Sequence, residues 1–153
     1  MTAHLMPRAE DVKNTFVTLF GDGVEVADHD GEADSTHLAV FIDDDDAPVT
    51  AIAVDLPFTA YLGAALTMIP KGGADDAIAE GEVSEMMVAN VQEIMNICSR
   101  WFMDNSTPHL RLDSVYPVKT VPESAMDLYD GGDQVSFTVH IPEYGAGTIT
   151  CSI

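Results

Sequence analysis

Between residues 82 and 103 the apolar side chains Val83, Met87, Val91, Ile94, Cys98 and Trp101 follow one another at steps of four or three, the repeat of a single helix face. This is the longest such pattern in the chain. It predicts a helix over the whole stretch, ended by Asn105, Ser106 and Pro108. A second helix is predicted over residues 9–20, where Val12, Phe16 and Leu19 lie at helical spacing beside Thr15 and Phe20, behind the acidic Glu10 and Asp11. Gly21 and Gly23 stop it. A third begins at Pro57, which a first helical turn tolerates, and runs through the apolar string 58–69 until Pro70, Lys71 and two glycines break it. Residues 74–81 read as a connector with some helical tendency. Strands are predicted at 36–42 and 49–56 around a turn at 43–48, so 36–55 is a β-hairpin. A shorter strand is expected at 23–27, another at 110–118, and a last hairpin at 134–141 and 146–153 around the turn at 142–147.

Strands that follow one another pair as antiparallel neighbours, so helix, strands, two helices, strands argues an α+β fold with about six strands and three helices. A chain of 153 residues fits one domain over 1–153. Composition sharpens this: with 46% hydrophobic residues the chain can fold despite a net charge of −20. Six Lys and Arg against 26 Asp and Glu cannot build the basic stripe that nucleic acid requires, and an anionic membrane surface would repel the protein. The longest apolar run, residues 51–69, is interrupted by Asp55, Pro57 and Gly63 and lacks flanking basic residues, so no membrane span is expected. The start of the chain has no apolar signal region, and the reading is a soluble, cytoplasmic protein. Cys98 and Cys151 sit in apolar segments without metal-ligand spacing and read as buried free thiols.

The chemistry-bearing candidates are on the long helix. Opposite its apolar face fall Ala89, Glu93, Asn96 and Arg100, with Glu93 and Asn96 one turn apart and directed to solvent. Glu on an exposed helix face is ordinary, but Asn is a mediocre helix former unless its amide has a task. Other signals are weaker. The strings at 28–34 and 43–46 are carboxylate-rich but fail the spacing of a Ca²⁺-binding loop and read as solvated loop charge. His29, His37, His109 and His140 form no zinc or hydrolase motif, and the glycine pairs lack the lysine of a phosphate-binding loop, so no metal or cofactor of its own is expected. The methionines read mostly as core filler, with Met86 and Met95 available to a partner surface.

The string NVQEIMNICSRWF, with its Glu-x-x-Asn followed by an aliphatic residue, resembles the phosphatase helix of the CheC/CheX/FliY family of chemotaxis phosphatases. The opening VKNTFVTLFGDGVEV, the hairpin 36–55, the helix at 56–69, the YPV around Pro117 and the closing GAGTITCSI are similar to that family's order of elements, so the resemblance spans nearly the whole chain. It implies a CheC/CheX-like sheet with two helices forming a central layer. It further implies hydrolysis of the phospho-aspartate on a CheY-like response regulator, in which Asn96 orients a water and Glu93 engages the regulator's lysine. Ala89, Arg100 and Pro117 would contact that partner, which brings the Mg²⁺ itself. The single motif, with Asp11-x-x-Asn14 as a faint echo in the first helix, makes the chain more CheX-like than CheC-like, and CheX resemblance implies a homodimer. Ala89 stands where the family usually carries Asp or Ser, and Pro117 follows Asn96 more closely than the motif proline does. These departures sustain an alternative: a catalytically silent CheC-like adaptor, as the FliM middle domain is among relatives of the fold.

Overall fold

A computed structural model describes residues 4–31 and 34–153. Among these residues six strands form one antiparallel sheet: β1 (Glu25–Asp28), β2 (Ser35–Ile42), β3 (Pro48–Asp55), β4 (Arg111–Pro117), β5 (Gln134–Ile141) and β6 (Gly145–Ser152). Their spatial order is β1-β5-β6-β3-β2-β4. The predicted hairpins are β2–β3, with Leu38 opposite Ala53, and β5–β6, with Phe137 opposite Ile149.

Among the described residues five α-helices accompany the sheet, not three: α1 (Ala9–Phe20), α2 (Leu56–Ala65), α3 (Lys71–Glu80), α4 (Glu85–Cys98) and α5 (Glu123–Gly131). The two additions have physical reasons. The connector around 74–81 is a full helix because Ala74 and Ala77 bury against Ala60 and Ala64, a contact between small residues that carries little periodic signal. In α5 only Ala125 is buried, and the segment opens on Pro122 and closes on two glycines, so its own pattern is nearly mute. The long predicted helix is also shorter than its apolar pattern. The α-helix ends at Cys98 and the pattern continues through a 3-10 turn, Ser99–Phe102, which still buries Trp101 and Phe102.

Period-two alternation divides the sheet's side chains between two layers. Ala39, Phe41, Ile52, Val54, Phe137, Ile149 and Cys151 face α1, α2 and α4 in the main core, where Phe16 meets Phe58 edge-on at 5.6 Å and Trp101 at 5.9 Å. Leu38, Val40, Ile42, Ala51 and Ala53 face the other way, against Ala125 of α5 and Tyr116 and Tyr129. Cys98 and Cys151 are fully buried free thiols, as expected, and burial pushes both up. Iodoacetamide at pH 8 should therefore label neither cysteine in the native protein and both in denaturant; mass spectrometry reads the difference directly.

Asp55 ties the hairpin to the helical layer. Its Oδ1 accepts from the Phe58 N–H (2.9 Å) and caps α2, while its Oδ2 accepts from the Thr148 N–H of β6 (3.1 Å). Asp55→Ala removes a helix cap and leaves a strand N–H unmatched. A loss of about 2–3 kcal/mol is expected by denaturant titration, combining about 1 for the cap with 1–2 for the orphaned donor.

Candidate functional site

The sequence builds α4 by starting it at Ser84, whose hydroxyl accepts from the Met87 N–H (3.2 Å), and by placing Met87, Val91, Ile94, Met95 and Cys98 in the core. Met95 is thus wholly buried, contrary to the expectation of partial exposure; it sits beside Ile94 on the inner face. Besides Glu85 in the first turn, the exposed residues form one stripe: Met86, Ala89, Glu93, Asn96, Ile97 and, in the following turn, Arg100. Ala89, Glu93, Asn96 and Arg100 are therefore brought onto one face. Pro117 belongs to another element, the end of edge strand β4, in register with His37.

Two asparagines on this helix have opposite fates. Asn90 points inward, where its Nδ2 donates to the Gly63 carbonyl (2.8 Å) and the Thr67 hydroxyl (3.0 Å). The carbonyls of Leu62, Ala64 and Ala65 at the end of α2 are taken by the N–H groups of Leu66, Ile69 and Met68. Gly63 is left for Asn90, so α4 supplies a side-chain cap to α2. Asn96 points outward, and among the described residues its amide has no hydrogen-bond partner; nor does the Glu93 carboxylate. A helical asparagine without an internal partner offers a free donor and acceptor on a rigid support.

The support is stiff because α2 and α4 touch closely. A Cβ on Gly63 would fall 2.6 Å from the Met87 Cβ and 2.9 Å from its Cα and carbonyl oxygen, so only glycine allows this crossing. The far end of α4 is fixed to α1: the Trp101 Nε1–H donates to the Thr15 hydroxyl (2.8 Å), which donates in turn to the Asp11 carbonyl (3.2 Å).

Sequence reasoning missed Asn90, whose inward direction follows from its place three residues after buried Met87 and four before buried Ile94, and it missed Met68. Met68 is 85% exposed in a left-handed conformation at φ 59°, rather than core filler. The acidic run in the β2–β3 turn is employed locally: Asp43 accepts from the N–H groups of Asp45 and Ala47, and Asp46 pairs with Arg111. Of the acidic string at 28–34, Glu32 and Ala33 lie outside the described residues. Among the described residues no three His, Cys, Asp or Glu converge as metal ligands, and no helix is long and apolar enough to cross a membrane.

No family model matches the chain, and no curated protein does. Solved structures do. CheX from Borrelia burgdorferi, in a complex with CheY, BeF3 and Mg²⁺, superposes with a TM-score of 0.55 at 10% identity, over 91% of this chain and 90% of that one. The FliM middle domain from H. pylori gives 0.53 at 9% identity, over 94% and 83%. FliM in the H. pylori FliM–SpeE complex gives 0.54 at 10%, over 94% and 80%. With six antiparallel strands, the helical layer and near-complete coverage in each case, the chain has the CheC/CheX-like fold that these chemotaxis and flagellar proteins share.

Proposed function

We propose that the chain is a CheX-type phosphatase that promotes hydrolysis of phospho-aspartate on a CheY-like response regulator. The observation that supports this most is the pair Glu93 and Asn96, exposed and internally unpartnered one turn apart on α4. Phosphoryl transfer asks little covalent help of a catalyst; positioning one water in line with the scissile bond is the main contribution open to it. In this reading Asn96 Oδ1 accepts an O–H of that water and directs its oxygen at phosphorus. The O–P bond forms as the acyl O–P bond breaks, the aspartate leaves as carboxylate, and the water's protons end on inorganic phosphate and solvent. Glu93 engages a lysine of the regulator, which fixes the helix over the acyl phosphate. The regulator supplies Mg²⁺, which neutralises phosphoryl charge. Burial of Ile97 and Met86 beside the pair would exclude water from the contact.

A second reading rests on Ala89 and on the equal likeness to FliM: a silent adaptor that binds a regulator or a flagellar component. One set of measurements separates the two. Response regulators of the source organism are loaded with a small phosphodonor and their decay followed with and without the protein, with calorimetric titration alongside. Accelerated decay supports the phosphatase. Stable binding without acceleration supports the adaptor. No binding and no acceleration with any regulator sinks both.

A further inference from the structure

Beyond the end of α4 the exposed stripe runs into a cleft between three pieces of backbone: the segment leading into α1, the first turns of α1, and the 3-10 turn after α4. Its lining includes Leu5, Met6, Arg8, Asn14, Arg100 and Trp101, and one carboxylate, that of Asp11. Its walls are fixed. The Leu5 N–H donates to the Phe102 carbonyl (3.0 Å), and the Trp101–Thr15–Asp11 relay joins the floor to α1.

The charge of this cleft is out of keeping with the rest of the molecule. The chain has only three arginines and a net charge of −20, yet two of the three, Arg8 and Arg100, face the same opening. In a protein with 26 carboxylate side chains, Arg100 has none within 4.0 Å among the described residues. Arg8 has only Asp11, at 3.6 Å between exposed groups, a pairing of little strength. The Asn14 amide adds donors beside them.

We propose that this cleft docks a carboxylate-bearing segment of the protein partner, held by Arg8 and Arg100 and seated on Leu5, Met6 and the edge of Trp101. The inference rests on the response-regulator reading and deepens it. The acidic surface elsewhere repels an acidic partner at long range, and that repulsion is screened by salt within about 10 Å at 0.1 M. Two arginines against the single carboxylate of Asp11 leave the cleft net positive, and this supplies the short-range attraction that fixes register, because guanidinium groups match carboxylates in a planar fork. Arg100, one helical turn beyond Asn96, joins the docking cleft to the reacting end of the stripe.

The test uses a regulator that the wild-type protein dephosphorylates and measures steady-state kcat and KM for three double variants. R8Q/R100Q is expected to raise KM about tenfold with kcat within twofold of wild type, R8E/R100E to raise KM further, and R8K/R100K, which keeps the charge but loses the planar fork, to raise KM only about two- to threefold. Folding is not at stake: both side chains are exposed, and the α1 cap is made by the Arg8 backbone N–H to Asp11 Oδ2 (2.9 Å), which survives substitution. Unchanged KM in all three overturns the docking cleft while leaving the phosphatase reading in place. A fall in kcat at constant KM, or equal losses in the Gln, Glu and Lys pairs, also overturns it. Failure of the wild type to accelerate decay of any regulator removes the functional reading and the cleft together.

Discussion

Asn96→Ala should lower the rate of phospho-aspartate hydrolysis roughly 100-fold, the scale set by misplacing a reacting group that a side chain holds in line. The loss should fall on kcat, because binding depends on the whole stripe and the water is positioned only at the reacting centre. The protein itself should melt no lower than wild type: Asn96 has no internal partner to lose, and alanine is the better helix former by a few tenths of a kcal/mol. Asn90→Ala is the matching control on the same helix. It removes two hydrogen bonds and strands the Gly63 carbonyl at the end of α2, so about 2 kcal/mol of stability should go. Six residues apart, the two variants should divide activity from stability. Phosphate release and thermal melting on both, in parallel, check this. An Asn96→Ala protein that turns over like wild type would remove the residue from the mechanism.

The largest effect on stability is expected from Gly147→Ala. In β6 Gly147 stands opposite Val139, and the first turn of α2 lies directly over it: an added Cβ would sit 2.6 Å from both the Phe58 Cα and N. Those are backbone atoms, so no rotamer change relieves the clash. Either α2 lifts from the sheet, dragging the Asp55 cap and the Phe58 ring out of the core, or β6 bends away from β3. Overpacking of this kind destabilises by about 3 kcal/mol, which for a domain of this size lowers Tm by roughly 6–12 °C. Calorimetry against wild type measures it. Gly72→Ala is the comparison, since nothing lies within 4 Å of its added Cβ, and it should melt at or slightly above wild type.

Where each element buries a continuous apolar face, the sequence pattern and the structure agree. The α1 range is the same in both, and both hairpins pair as their alternation requires, because Phe41, Ile52, Phe137 and Ile149 must all point to one layer. The pattern is weak where burial depends on small residues or on a single side chain, which is why α3 reads only as a connector with some helical tendency, α5 is not seen, and α2 reads past its end at Ala65. The candidate stripe was legible because Ala89, Glu93, Asn96 and Arg100 are the complement of a strong apolar face. Asn90 and the arginine cleft were not. The first depends on where a neighbouring helix ends, the second on bringing residues 8 and 100 together from distant parts of the chain.

The position of β6 bears on how this chain reaches its native state. β6 is the last strand in chain order, yet it lies in the middle of the sheet, with β5 on one side and β3 on the other. Until it is in place, β3–β2–β4 and β1–β5 are two separate ribbons, each with an open hydrogen-bonding edge and one apolar face uncovered. The main core therefore closes only once β6 is synthesised and free to pair, and its pairings span much of the chain, so folding belongs with slow, high-contact-order sheets. During that interval the bare edges of β3 and β5 are the sites at which two nascent copies would join wrongly, and the speed with which β6 inserts sets the yield of folded protein.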